Sequence, residues 1–196
     1  MSKLLAAPYT VVRMIRSARK MLKLLSLRLR GVRVHWTAVI DPAAIFEPSG
    51  GKITIGARTF IDRGVIFRPL GGWILLGDDC SVNAYSVLYG SGGLEIGNDV
   101  RIAAHTVIVP SNHKFSDPCN SIKNQGLTLK GIVIEDDVWI GSGARVLDGV
   151  RIGQGSVIGA GSVVTKSTAA NSVNVGVPAR CIRLRTKETP MYTDQI

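Results

Sequence analysis

The sequence predicts an all-β fold: a solenoid of short parallel strands, preceded by an amphipathic helix and interrupted by one long inserted loop. Three observations predict it. From Ile134 onward every sixth residue is a β-branched aliphatic (Ile134, Ile140, Val146, Ile152, Ile158, Val164). Four residues after each stands a small or β-branched residue: Val138, Ala144, Val150, Ser156, Ser162 and Thr168. The same period recurs upstream in sets of three, in a chain of 196 residues with 22 glycines and few aromatics. That composition suits tightly turned β structure with small and branched side chains inside.

The first element is helical. From Thr10 to Arg30 the apolar residues Val11, Ile15, Ala18, Leu22, Leu25 and Leu29 form one stripe at spacings of three and four. Arg13, Arg16, Lys20 and Lys23 line the opposite face, and Gly31 supplies a stop. After Gly31 the period changes to six. Leads fall at Val34, Ile40 and Phe46; at Ile55, Ile61 and Phe67; at Leu76, Val82 and Leu88; and at Ile96, Ile102 and Ile108. One hexad makes a short strand and a turn, and three close a triangular coil of roughly 18 residues. The lead side chain points into a stacked core, and each coil needs a neighbour to bury its faces.

The period lapses once, between Ile108 and Ile132. Long irregular insertions in compact domains are uncommon and often functional. The chain therefore divides into a basic helical segment (1–31), a solenoid (32–177) with an inserted loop (110–131), and a cap and tail (178–196).

Residues 1–33 carry nine Lys/Arg and no acid, so the net charge of +10 belongs to the N-terminus rather than to the solenoid. This segment has two readings. It lies on an anionic membrane surface, or its stripe packs on the solenoid or a neighbouring copy with the basic face in solvent. The apolar stripe argues against nucleic acid as the partner. Three cysteines without CxxC spacing exclude a disulfide framework and a zinc knuckle and point to a reducing cytoplasm. No uncharged stretch is long enough to span a bilayer, and the N-terminus lacks the apolar region and cleavage site of a signal peptide. The expected location is cytoplasmic, peripheral at the inner membrane face if the helix binds lipid.

Of the three histidines, His35 sits in the first hexad and reads as structural. His105 occupies a turn, where a surface or subunit contact is the plainer role. His113 lies at the root of the insertion, and an imidazole raised on a loop above a rigid scaffold can act as a general base.

The hexads from Val34 to Val177 resemble the left-handed parallel β-helix family, whose hand departs from the usual right-handed crossover. The block VWIGSGARVLDGVRIGQGSVIGAGSVVTK followed by NVGVPARCIRLR resembles the coenzyme A-dependent acyltransferases of the hexapeptide-repeat superfamily, in their galactoside, maltose and xenobiotic branch. The loop, NHKF…QGLTLKGIVIEDDVWIG, is closer in form to bacterial surface-polysaccharide O-acetyltransferases.

This resemblance implies a homotrimer with sites between subunits and acetyl-CoA as donor, with no metal. His113 matches the base that takes the acceptor proton, and Asn83 matches an acceptor-holding asparagine, with the loop Ser111–Lys130 shaping the pocket. Trp139, Gly141 and Ser142 match positions along the pantetheine arm. Ala160 and Gly161 match a narrow place on its path, where small residues let the backbone come close. Thr165, Lys166, Arg180 and Arg183 match residues near the nucleotide phosphates, where basic groups suit the charge. The helical N-terminal domain of the galactoside branch is replaced here by the basic segment, which argues against a galactoside acceptor.

The implied reaction is O-acetylation of a sugar of a surface polysaccharide or its precursor. Alternatives are N-acetylation of a nucleotide-linked amino sugar, acetylation of a xenobiotic, and a non-catalytic trimeric module. A carbonic-anhydrase-like zinc site would need three histidines, and His35 stands coils away from the other two.

Overall fold

Val34 pairs with Ile55, Ile55 with Leu76, Leu76 with Ile96, Ile96 with Ile134, and Ile134 with Ile152, always in parallel. This column of hexad leads defines the first face of the computed structural model, which describes residues 21–48 and 50–186. The part of the expected helix before residue 21 and the tail beyond 186 lie outside the described residues.

A second face stacks Ile40, Ile61, Val82, Ile102, Ile140 and Ile158, and a third stacks Phe46, Phe67, Leu88, Ile108, Val146 and Val164. The result is a parallel β-solenoid of six coils with three faces. Every hexad lead is buried, and the phenylalanine rings of the first two coils stack at 4.7 Å.

The repeat sets the rise of the coil. Ile134 and Ile152 pair 18 residues apart, Val34 and Ile55 pair 21 apart through the early glycine insertions, and Ile96 and Ile134 pair 38 apart across the inserted loop. The small residues four places after the leads sit beneath the bends. Where they are polar, their hydroxyls donate to backbone carbonyls: Thr59 to Gly77 at 2.8 Å, Ser86 to Ala103 at 3.1 Å and Ser156 to Ala169 at 2.8 Å. Burying a hydroxyl without a partner would cost stability.

Both ends are closed. The helix described over 21–29 covers the first coil and ends in a Schellman turn: the amide of Gly31 donates to Arg28 O and that of Val32 to Leu27 O, with Gly31 at φ 80°. Its packing departs from one of the two sequence-based readings, the one that seats the stripe on the solenoid. Leu27 is fully buried and Leu24 packs beside it, whereas Leu22, Leu25 and Leu29 of the predicted stripe face outward. The basic residues do not simply face solvent either. Lys23 donates to Ala44 O at 2.8 Å, Arg28 to Val34 O at 3.1 Å and Arg30 to Phe46 O at 2.6 Å.

The open edge of the first coil exposes carbonyls with no strand below them, and these cations satisfy three of them. Lys23 is pulled below its ordinary pKa by burial and by Arg30, partly countered by Asp41. At the other end, strand Ser172–Gly176 extends the second face in parallel on Val157–Ile158, and Ala179–Leu184 folds back on it antiparallel.

Cys80 lies under a bend, and burial pushes its thiol up to about 11. The thiolate is the nucleophile, so native protein exposed to iodoacetamide at neutral pH should be alkylated at the exposed Cys119 and Cys181 and spared at Cys80. Peptide mass spectrometry reads this directly; rapid native modification of Cys80 would contradict its burial.

Candidate active site

The inserted loop leaves the third face after strand Val107–Val109 and rejoins the first at Ile132–Ile134. Its root is a two-stranded antiparallel ladder, Asn112–His113 against Leu127–Thr128, with His113 opposite Leu127. His113 is exposed on that ladder.

Two residues that the sequence did not single out hold the loop. Asp148 accepts from the Thr128 hydroxyl at 3.0 Å and from the Lys130 and Gly131 amides at 2.9 and 3.1 Å. Gln125 accepts from the Asp117 amide at 3.1 Å and donates to the Asp117 and Asn120 carbonyls at 2.9 and 2.8 Å. Charge-assisted bonds such as those to Asp148 are the stronger kind, so the base of the loop is fixed to the fifth coil. Asp148 reads in the sequence as an ordinary turn residue, and nothing local reveals its partners 17 to 20 positions away.

The other predicted residues lie elsewhere. The corner between the second and third faces carries Asn83, Gly141, Ser142, Ala160 and Gly161. The Asn83 amide donates to Ile102 O at 2.8 Å, which fixes the side chain on the scaffold. At this corner the fourth residue of the hexad adopts a left-handed conformation in every coil after the first: Gly64, Tyr85, His105, Gly143 and Gly161, at φ 66, 61, 61, 70 and 68°. Tyr85 and His105 stack at 5.6 Å. Above them Gly143 and Gly161 leave the corner bare, and a Cβ at Gly161 would meet nothing within 4 Å.

Packing between coils accounts for Gly141. A Cβ there would stand 2.6 Å from the backbone nitrogen of Ala160 on the next coil, so coil spacing itself demands glycine.

Trp139, nearly half exposed, lies on the second face and shares a shallow cleft with Arg101, Asp137, Val157, Arg183 and Arg185. Arg180 lies on the same terminal strand as Arg183. Thr165 and Lys166 follow strand Val163–Val164 and are exposed at the corner between the third and first faces, the one from which the loop departs a coil pair below. One chain thus puts Trp139 and Arg183 in one cleft on the second face, with the glycine-lined corner at an edge of that face, and carries His113, Thr165 and Lys166 at the corner between the third and first faces. A whole face lies between the two groups. His35 is on the first coil, exposed, with its Nδ1 2.9 Å from the Thr37 hydroxyl oxygen.

Residues 131–166 match the family described as bacterial transferase hexapeptide (six repeats). WbbJ of Escherichia coli K12, provisionally named a lipopolysaccharide biosynthesis O-acetyl transferase, is 37% identical over 122 residues, covering 59% of this chain and 62% of WbbJ. Rv3034c of Mycobacterium tuberculosis, named a probable acetyltransferase, is 31% identical over 156 residues, covering 80% of this chain and 49% of that protein. The chain spans about half to three-fifths of the length of these curated relatives. Among solved structures, a mutant of AntD, an N-acyltransferase from Bacillus cereus, superposes with a TM-score of 0.70 at 26% identity, covering 84% of this chain and 90% of AntD. That crystal holds dTDP-4-amino-4,6-dideoxyglucose and coenzyme A.

Proposed function

For a chain built on bacterial transferase hexapeptide repeats, we propose acetyl transfer from acetyl-CoA to a sugar hydroxyl of a surface polysaccharide or its precursor, in sites shared between the subunits of a trimer. The observation that carries this reading is the division of the predicted site over two corners of one prism. Trp139 offers apolar surface and the Gly143–Gly161 strip offers room for a thin chain, while Arg183 supplies positive charge beside them. His113 and Lys166 sit a face away, and a second copy would bring such a pair to that strip.

The loop also exposes Phe115, Ile122, Leu127 and Leu129, apolar surface that a neighbouring subunit would cover. In this reading His113 removes the proton from the acceptor hydroxyl, and the oxygen attacks the thioester carbonyl. The tetrahedral oxyanion collapses with loss of the CoA thiolate, which takes the proton back from the imidazolium. Asn83, its amide already committed to Ile102, keeps its Oδ1 to accept from a second sugar hydroxyl.

The likeness to AntD, crystallised with a nucleotide-linked amino sugar, favours N-acetylation of such a sugar as the second reading. A thiol-release assay with acetyl-CoA decides between them. Turnover with hydroxyl sugars and none with amino sugars is the expected result, and the reverse selects the second reading. The absence of thiol release with both, together with no acetyl-CoA binding by calorimetry, overturns acyl transfer altogether.

A further inference from the structure

We infer that the N-terminal helix docks the protein on an anionic bilayer through the face formed by Met21, Leu22, Leu25 and Leu29. The helix has two apolar sides. Leu24 and Leu27 plug the mouth of the solenoid, which leaves the stability of the first coil independent of the other side. On that other side Met21, Leu22, Leu25 and Leu29 are 71, 65, 55 and 80% exposed. Trp36, on the coil that the helix covers, is 74% exposed. Tryptophan is enriched where an apolar ring meets lipid headgroups.

Charge selects the occupant. Residues 1–33 hold nine basic and no acidic residues, and the first acid is Asp41. Lys23, Arg28 and Arg30 are held by neutral carbonyls, so these bonds leave their positive charge uncancelled. A second copy of the same face would bring like charges together. A bilayer carrying anionic lipid offers both an apolar layer and the opposite charge. Each basic residue near such a surface raises partitioning roughly fivefold, and the leucines add the buried area that an interfacial helix needs. No described helix is long and apolar enough to cross a membrane.

The test is flotation of the full chain with phosphatidylcholine vesicles, with and without added phosphatidylserine, beside the variant Leu22→Ser/Leu25→Ser/Leu29→Ser. These three side chains are exposed, so their loss leaves the core intact. Binding is expected only to the serine-lipid vesicles, weakened by high salt and reduced at least tenfold in the triple variant. Equal flotation of variant and parent would overturn the proposal, as would binding indifferent to phosphatidylserine. So would a variant that changes only oligomeric state in solution, which would give the face to a second copy. Neither acetyl-CoA nor acceptor is involved, so failure here is distinguishable from failure of the acetyltransferase reading.

Discussion

His113→Ala is expected to lower acetyl transfer by about 10²–10⁴-fold, the range that a positioned general base contributes. The side chain is exposed at the loop root and carries no part of the core, so the melting temperature and acetyl-CoA affinity should hold. The measurement is steady-state thiol release beside calorimetric binding of acetyl-CoA. A variant turning over within a fewfold of the parent would remove His113 from the mechanism.

The geometry adds a second arm to this test. If His113 of one copy serves the Gly161 corner of the next, a chain carrying His113→Ala can be complemented by one whose corner is blocked by Gly161→Trp. Each variant alone should be inactive, and co-assembled mixtures should regain a fraction of parental activity. No recovery in mixed trimers would place the whole site within one chain and contradict the shared arrangement.

The solenoid was legible because its rule is local. A residue six places on occupies the same role on the next face, so every lead from Val34 to Val164 could be named from the sequence and is buried. The insertion was legible as the place where that rule stops. The hand of the coil was not contained in the period, and came only from resemblance.

The helix shows what a periodicity argument leaves open. Leu22, Leu25 and Leu29 make the more regular stripe, yet Leu24 and Leu27 pack inward. The deciding factor is the open edge of the first coil, whose carbonyls draw in Lys23, Arg28 and Arg30 and set the rotation of the helix. Those carbonyls belong to residues up to 21 positions away. Asp148 was missed for the same reason, since its value lies in three donors across the loop. The Tyr85–His105 stack depends on two left-handed residues meeting across coils, and no linear pattern marks it.

Gly141→Ala is expected to lower the melting temperature by about 5–10 °C, because inserting a methyl against fixed backbone costs on the order of 1–3 kcal/mol or more. The added Cβ would stand 2.6 Å from Ala160 N and 2.9 Å from its Cα, atoms that belong to the next coil and cannot turn aside. Gly153 provides the control, since a Cβ there would stand 2.6 Å from Ala170 N at the corner between the first and second faces, a face away from Ala160 and Gly161. Differential scanning fluorimetry should give similar losses for Gly141→Ala and Gly153→Ala. Acetyl-CoA affinity, measured below both transitions, should fall only in Gly141→Ala, because only there does the coil displacement reach Ala160 and Gly161. An unchanged melting temperature in Gly141→Ala would refute the packing account. Equal affinity loss in both variants would instead show that the whole prism, rather than this corner, sets the width of the groove.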